Sequence, residues 1–74
     1  MVEVTLNLSG LECPLPVLRT RAALKKMSAG QRLTVICTDP LTEIDIPHLL
    51  HSTGDSLETK RRDEDAIVFV ILKS

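Results

Sequence analysis

Aromatic side chains are almost missing from this sequence: it has no Trp or Tyr, and Phe69 stands alone among 74 residues. Any core must therefore be aliphatic, built from Leu, Ile and Val. The same shortage counts against single-stranded nucleic-acid binding, which uses exposed rings as stacking platforms for bases. Long apolar runs are missing too. The longest lies in the C-terminal strand and falls far short of the ~20 residues that span a bilayer. The chain opens directly on alternating strand-type residues, without a charged-then-apolar leader. The expectation is a cytoplasmic protein that contacts no membrane. Cysteines number only two, Cys13 and Cys37. In a reducing compartment they are not expected to form a structural disulfide.

What remains suits a soluble globular domain, with 43% hydrophobic and 26% charged residues. Residues 1–74 leave room for one domain, and a chain of this size buries only about 60% of its unfolded surface. The net charge is -1, but it is unevenly placed. Arg19, Arg21, Lys25, Lys26 and Arg32 outweigh Glu3 and Glu12 in the first half, whereas acids dominate from Asp39 onward. Such a split is ordinary for solvated surfaces.

Val2, Val4, Leu6 and Leu8 alternate with Glu3, Thr5 and Asn7, the period-two pattern of a half-buried strand. Gly10 breaks it. A helix is expected from about Pro14 to Met27, with Pro14 and Pro16 in its first turn and Gly30 as a stop signal. Residues 32–38 read as a second strand. A second helix is expected to start with Asp45 as N-cap and Pro47 in the first turn, with Ile44 stapled onto Leu49 and Gly54 ending it. Residues 57–62 and 66–73 read as two strands joined by Asp63-Glu64-Asp65. The last is apolar on both faces and belongs in the middle of the sheet. The fold class is α+β: a two-layer α/β sandwich in the order β-α-β-α-β-β, with a four-stranded mixed sheet, two helices on one face, and a right-handed first crossover that makes strands one and two parallel.

The chemistry concentrates in Gly10-Leu11-Glu12-Cys13-Pro14-Leu15-Pro16. Cys13 falls between a strand and a helix, where free backbone N–H groups and the helix dipole favour a thiolate or persulfide anion. Pro16 occupies the place where a Cys-x-x-Cys motif holds its resolving thiol. Without that thiol, sulfur attached to Cys13 persists until a partner removes it. The same spacing also fits a capping cysteine with no chemistry.

These residues, followed by Arg21, Met27 and Gly30, and then by Asp39-Pro40, Asp45-Ile46-Pro47 and Gly54, resemble the TusA/SirA family of sulfur-carrier proteins over essentially the whole chain. The resemblance implies the fold given above. It also implies that Cys13 takes persulfide sulfur from a cysteine desulfurase or a rhodanese-like donor and passes it to a downstream acceptor protein. The destinations in that family are tRNA 2-thiouridine synthesis, molybdenum cofactor supply and sulfur oxidation. The role is that of a covalent carrier rather than an enzyme, and it calls for no cofactor. Pro14 and Pro16 would support the motif by fixing the loop-to-helix junction. Two positions depart from the family pattern: Ala22 follows Arg21 where many members have Lys, and Asp55 follows Gly54 where some have His or Asn.

Stepping about 100° per residue along the first helix groups Val17, Thr20, Ala23, Leu24 and Met27 on a side to bury. Leu15, Leu18 and Ala22 fall opposite, flanked by Arg19, Arg21, Lys25 and Lys26. Leu15, Leu18, Arg19 and Arg21 are therefore the candidate partner-binding residues. Cys37 is in phase with Leu33 and Val35 and reads as an inert core thiol. His48 and His51 read as a solvated helix face, with no third metal ligand spaced to join them. Asp39, Glu43, Asp45 and Asp55 read as caps, loop residues and solubility charges, and Lys60-Arg61-Arg62 as a charged sheet edge. Two other function classes stay open: an interaction or regulatory module with an unreactive Cys13, and direct RNA binding. The net charge and missing aromatics oppose the latter.

Overall fold

The structure is a computed structural model that describes residues 3–74; Val2, expected in the first strand, lies outside the described residues. The elements run β1 (Glu3–Leu8), α1 (Leu15–Lys25), β2 (Arg32–Cys37), α2 (Thr42–Thr53), β3 (Ser56–Asp63) and β4 (Ala66–Leu72). The sheet order is β1-β2-β4-β3, with β1 parallel to β2 and the other two pairs antiparallel. Apolar β4 is thus central, as its two-sided pattern requires. One face of the sheet carries Leu33, Val35 and Cys37 paired with Ile71, Phe69 and Ile67. Leu24 of α1 and Ile46 and Leu50 of α2 close over them in a single buried cluster, so both helices pack on that face.

Strand β3 is the charged edge, with all eight residues exposed. Beyond an irregularity between Leu57 and Thr59, Lys60 and Arg62 pair with Phe69 and Ile67 and so share the helix-covered face. Both form ion pairs with Glu43 of α2. The charges that protect the edge therefore also pin the second helix.

Helix α1 buries Pro16, Thr20 and Leu24, while Val17, Ala23 and Met27 are half-buried against the core. Leu15 and Leu18 face solvent, 42% and 49% exposed. The two faces fall as the periodicity predicts, with one correction. Pro16, read above only as a first-turn residue that fixes the loop-to-helix junction, is fully buried. It lies four and eight residues before Thr20 and Leu24, on the same helical stripe. The Thr20 hydroxyl donates to the Pro16 carbonyl at 2.7 Å, which satisfies it without a partner outside the helix. The helix ends earlier than Met27, its C-cap being Lys26 in right-handed geometry. Gly30 lies beyond it in the turn before β2, where its N–H donates to the Lys73 carbonyl at 2.8 Å.

Helix α2 starts earlier than the sequence suggests. Asp45 is not the cap: the N-cap is Leu41, without a side-chain cap bond. The turn leading into it is held by Asp39, whose side chain accepts the Leu41 N–H at 3.0 Å and whose carbonyl accepts the Thr42 N–H at 3.0 Å. Asp45 falls in the first turn, and Pro47 is inside the helix. Ile44 does not staple onto Leu49; it is 69% exposed. Asp39-Pro40 and Asp45-Ile46-Pro47 both combine an acid with a proline, and the first pair wins because it directly follows β2. At the other end Gly54 takes φ 83°, a left-handed cap that glycine adopts without strain, as expected.

Candidate functional site around Cys13

Parallel pairing of β1 with β2 brings Leu8 and Cys37 side by side at the carboxyl ends of the two strands. The chain leaves both strands at that edge and enters α1 and α2 there, so both helices begin at the same end of the molecule. The β1–α1 loop and the β2–α2 loop touch. The Gly10 N–H donates to the Thr38 hydroxyl at 2.9 Å, and the Cys13 N–H donates to Asp39 Oδ2 at 2.8 Å. Asp39 therefore holds the Cys13 backbone with one oxygen and the turn into α2, through the Leu41 N–H, with the other, and these two bonds keep its carboxyl below the usual carboxylate range.

Cys13 is exposed, and its peptide bond to Pro14 is cis. The thiol donates a hydrogen bond to Asp45 Oδ2 at 3.1 Å. That bond, a little desolvation, and the negative charges of Asp45 and Asp39 push the thiol above the ordinary cysteine value. In the resting chain these two carboxylates oppose the pull of the helix start on the thiol. A helix end contributes only about 0.3–1 kcal/mol at an exposed site. Here Pro14 and Pro16 have no N–H to offer, the Leu15 N–H donates to the Glu12 carbonyl at 2.9 Å, and the thiol meets a carboxylate instead.

A groove of about 270 Å³ runs between the helices from this thiol, lined by Cys13, Pro14, Val17, Arg21, Asp45, His48, Leu49 and Ser52. Of the candidate partner-binding residues, Arg21 joins Cys13 here. Arg19 instead lines a separate groove between α1 and β1, together with Val4, Leu6, Ala22 and Lys26. Leu15 and Leu18 stand exposed on the first turns of α1, and Leu41 and Ile44 are exposed at the start of α2. The sequence reading missed this second apolar pair. His48 and His51 are both exposed on α2. Cys37 is fully buried among core residues, and burial pushes its thiol up.

The sequence reading also missed Asp39 and Asp45 as neighbours of the thiol. A usable signal existed: both follow the strand expected to lie parallel to β1, so they emerge at the same sheet edge as Cys13. Asp55 departs further from its expected role. It is buried, and its Oδ1 accepts from Lys73 Nζ at 3.3 Å and from the Ser74 N–H at 3.0 Å. Its place in the fold is a clamp on the C-terminal residues, away from Cys13.

With this geometry in view, the chain can be set beside known proteins. A family model described as Sulfurtransferase TusA matches residues 4–73. The Sulfur carrier protein TusA of Allochromatium vinosum is 42% identical over 69 residues, covering 93% of this chain and 91% of the relative. The Sulfur carrier protein TusA of Pseudomonas putida is 34% identical over 71 residues, covering 96% and 89%. A crystal structure of a SirA-like protein from Desulfitobacterium hafniense superposes with a TM-score of 0.80 at 26% identity, covering 93% of this chain and 95% of that one. Fold, span and relatives agree, and the chain belongs to the TusA family of sulfur carriers.

Proposed function

We propose that Cys13 accepts sulfane sulfur as a persulfide from a cysteine desulfurase or a rhodanese-like donor and relays it to an acceptor protein. The relay would serve tRNA 2-thiouridine synthesis, cofactor supply or sulfur oxidation. The observation that carries this reading is the contrast between the two thiols, Cys13 exposed at the mouth of a groove and Cys37 sealed in the core. The relatives named as sulfur carriers support it. In the transfer, the Cys13 thiol gives up its proton and its sulfur attacks the outer sulfur of the donor persulfide. A new S–S bond forms as the donor's own breaks, and the electron pair and a proton end on the donor cysteine. Nothing is oxidised or reduced overall, so no cofactor is called for.

The partner contacts belong to the same reading. Leu15 and Leu18, with Arg21 beside the groove, offer an apolar patch rimmed by positive charge next to the reacting sulfur, and Arg19 extends that charge around α1. A reducing, cytoplasmic setting, where both thiols stay free, goes with this role.

Incubation with a cysteine desulfurase and cysteine, followed by intact mass and peptide mapping, tests the assignment. One added sulfur on the Cys13 peptide is the expected result, lost in Cys13→Ser. Loading that survives Cys13→Ser and disappears in Cys37→Ser would overturn it.

A further inference from the structure

We propose that Asp45 keeps Cys13 of the empty carrier as a protonated, slow-reacting thiol, and that the sulfur, once attached, reaches beyond this restraint and reacts freely. The inference rests on the reading of Cys13 as the sulfur-bearing residue. It makes Asp45 a positioning residue, acting through the sulfur it holds.

The observation behind it is a carboxylate with nothing else to do. Among the described residues, the side chain of Asp45 makes one hydrogen bond, accepted from Cys13 Sγ at 3.1 Å, and no ion pair. Other acids of the fold have cationic partners: Glu43 has Lys60 and Arg62, Asp55 has Lys73, and Glu58 has Arg32. Asp39 adds a second negative charge, fixed against the Cys13 N–H from the β2–α2 loop. The remaining charged or titratable neighbours are Arg21 from α1, His48 from α2 and Glu12 in the preceding loop. Neither Arg21 nor His48 forms an ion pair with Asp45 among the described residues.

A carboxylate accepts a hydrogen bond from S–H and repels S⁻, and only S⁻ is a strong nucleophile. The empty carrier therefore resists alkylation and oxidation, the first step of which also needs the thiolate. Loading changes the geometry. Sγ becomes the inner sulfur and has no proton to donate, while the ionising atom is the outer sulfur, one S–S bond of about 2.05 Å further out. Its charge stands further from Asp45 and Asp39, and Coulomb repulsion falls with distance. One carboxylate thus distinguishes the two states of the carrier, restraining the thiol and leaving the persulfide free.

The test is the rate of Cys13 alkylation by iodoacetamide between about pH 7.5 and about pH 10.5, the range around an ordinary thiol's titration. It is read by peptide mapping in the wild type, Asp45→Asn and Asp45→Glu. In Asp45→Asn the alkylation midpoint is expected to move down by about one pH unit, giving up to about tenfold faster labelling near neutrality. Asp45→Glu should stay close to the wild type. Cys37 should remain unlabelled and the melting temperature nearly unchanged, which separates loss of the carboxylate from loosening of the fold. An unmoved or raised midpoint in Asp45→Asn would overturn the proposal. For the second half, the persulfide is made chemically with inorganic polysulfide, and its alkylation is compared in the wild type and Asp45→Asn. Nearly equal rates are expected, and acceleration as large as that of the empty thiol would refute the distinction. If a desulfurase fails to load Cys13, the proposed function fails, while both alkylation comparisons still read what Asp45 does.

Discussion

Asp45 and Asp55 stand at opposite ends of α2 and show how one residue type is put to two uses. Asp55, just past the left-handed Gly54 cap, is buried and gathers Lys73 and the Ser74 backbone onto one oxygen. Asp45, in the first turn, is half-buried, has no counter-ion among the described residues, and accepts a hydrogen bond from the exposed Cys13 thiol. Burial would raise the Asp55 carboxyl, but the hydrogen bonds from Ser74, Thr53 and Lys73 outweigh it and leave it below the usual carboxylate range. At Cys13 the balance runs the other way, and the neighbouring carboxylates raise the thiol. A carboxylate with donors around it stabilises the fold, whereas one set against an ionisable thiol governs that thiol. What decides between the two is the company each keeps, since both lie in the acidic half of the sequence.

The sharpest way to break the comparison is Asp55→Ala. It removes a buried charge and at least two donors' worth of hydrogen bonds, and should cost about 1.5–3 kcal/mol. For a domain of this size each kcal/mol shifts the melting temperature by about 4–8 °C. The sign of the pH dependence follows from the lowered carboxyl. The folded value lies below the unfolded one of about 3.9, so the stabilisation is present above that pH and disappears as pH falls through the folded value. The wild type should therefore lose stability below about pH 4, and Asp55→Ala should lose less over that range. A variant as stable as the wild type at neutral pH, with the same acid limb, would remove Asp55 from the clamp. Because Asp55 lies away from Cys13, its alkylation midpoint should not move.

A smaller loss is expected at Pro16, which belongs to both regions: it stands in the Cys13 motif and in the core. Pro16→Ala deletes buried ring carbons and relaxes the unfolded chain, which together should cost about 1–2 kcal/mol. Thermal melts and sulfur transfer measured on the same samples separate the two roles. A melting temperature unchanged by Pro16→Ala would contradict its burial.

Local periodicity carried most of the fold. The alternation in β1, the two-sided apolar run of β4 and the stripe of Val17, Thr20, Ala23, Leu24 and Met27 each report burial from residues a few positions apart. Cys13 was legible for a related reason, since its motif places it between a strand and a helix. What governs the thiol was not legible. Asp45 is 32 positions away along the chain, and its acid-then-proline surroundings carry the local pattern of a helix cap, whereas the helix already starts at Thr42. The clamp at Asp55 reaches across to Lys73 and Ser74, a pairing set by where β4 ends relative to α2 and not by any local pattern. Pro16 was missed although its spacing of four to Thr20 carried the signal, because a proline in a first turn was read only as a backbone device.

The smallest expected effect on stability lies on the solvent face of α1, and it tests what surrounds the sulfur rather than what holds it. Leu18 is 49% exposed and contributes nothing to the buried cluster. Leu18→Ser should change stability by no more than about 0.5 kcal/mol, as surface substitutions usually do. Arg21, which lines the Cys13 groove from the same helix, supplies the charge beside that leucine. If the face docks a donor or acceptor, Leu18→Ser should weaken binding to the desulfurase, measured by titration calorimetry, and slow sulfur loading at limiting donor. The Cys13 alkylation midpoint should stay where it is, because Leu18 carries no charge. Binding and loading equal to the wild type would exclude Leu18 from the interface. A shifted midpoint would instead mean that the substitution disturbs the Cys13–Asp45 bond, and the two ends of the comparison would no longer be separable.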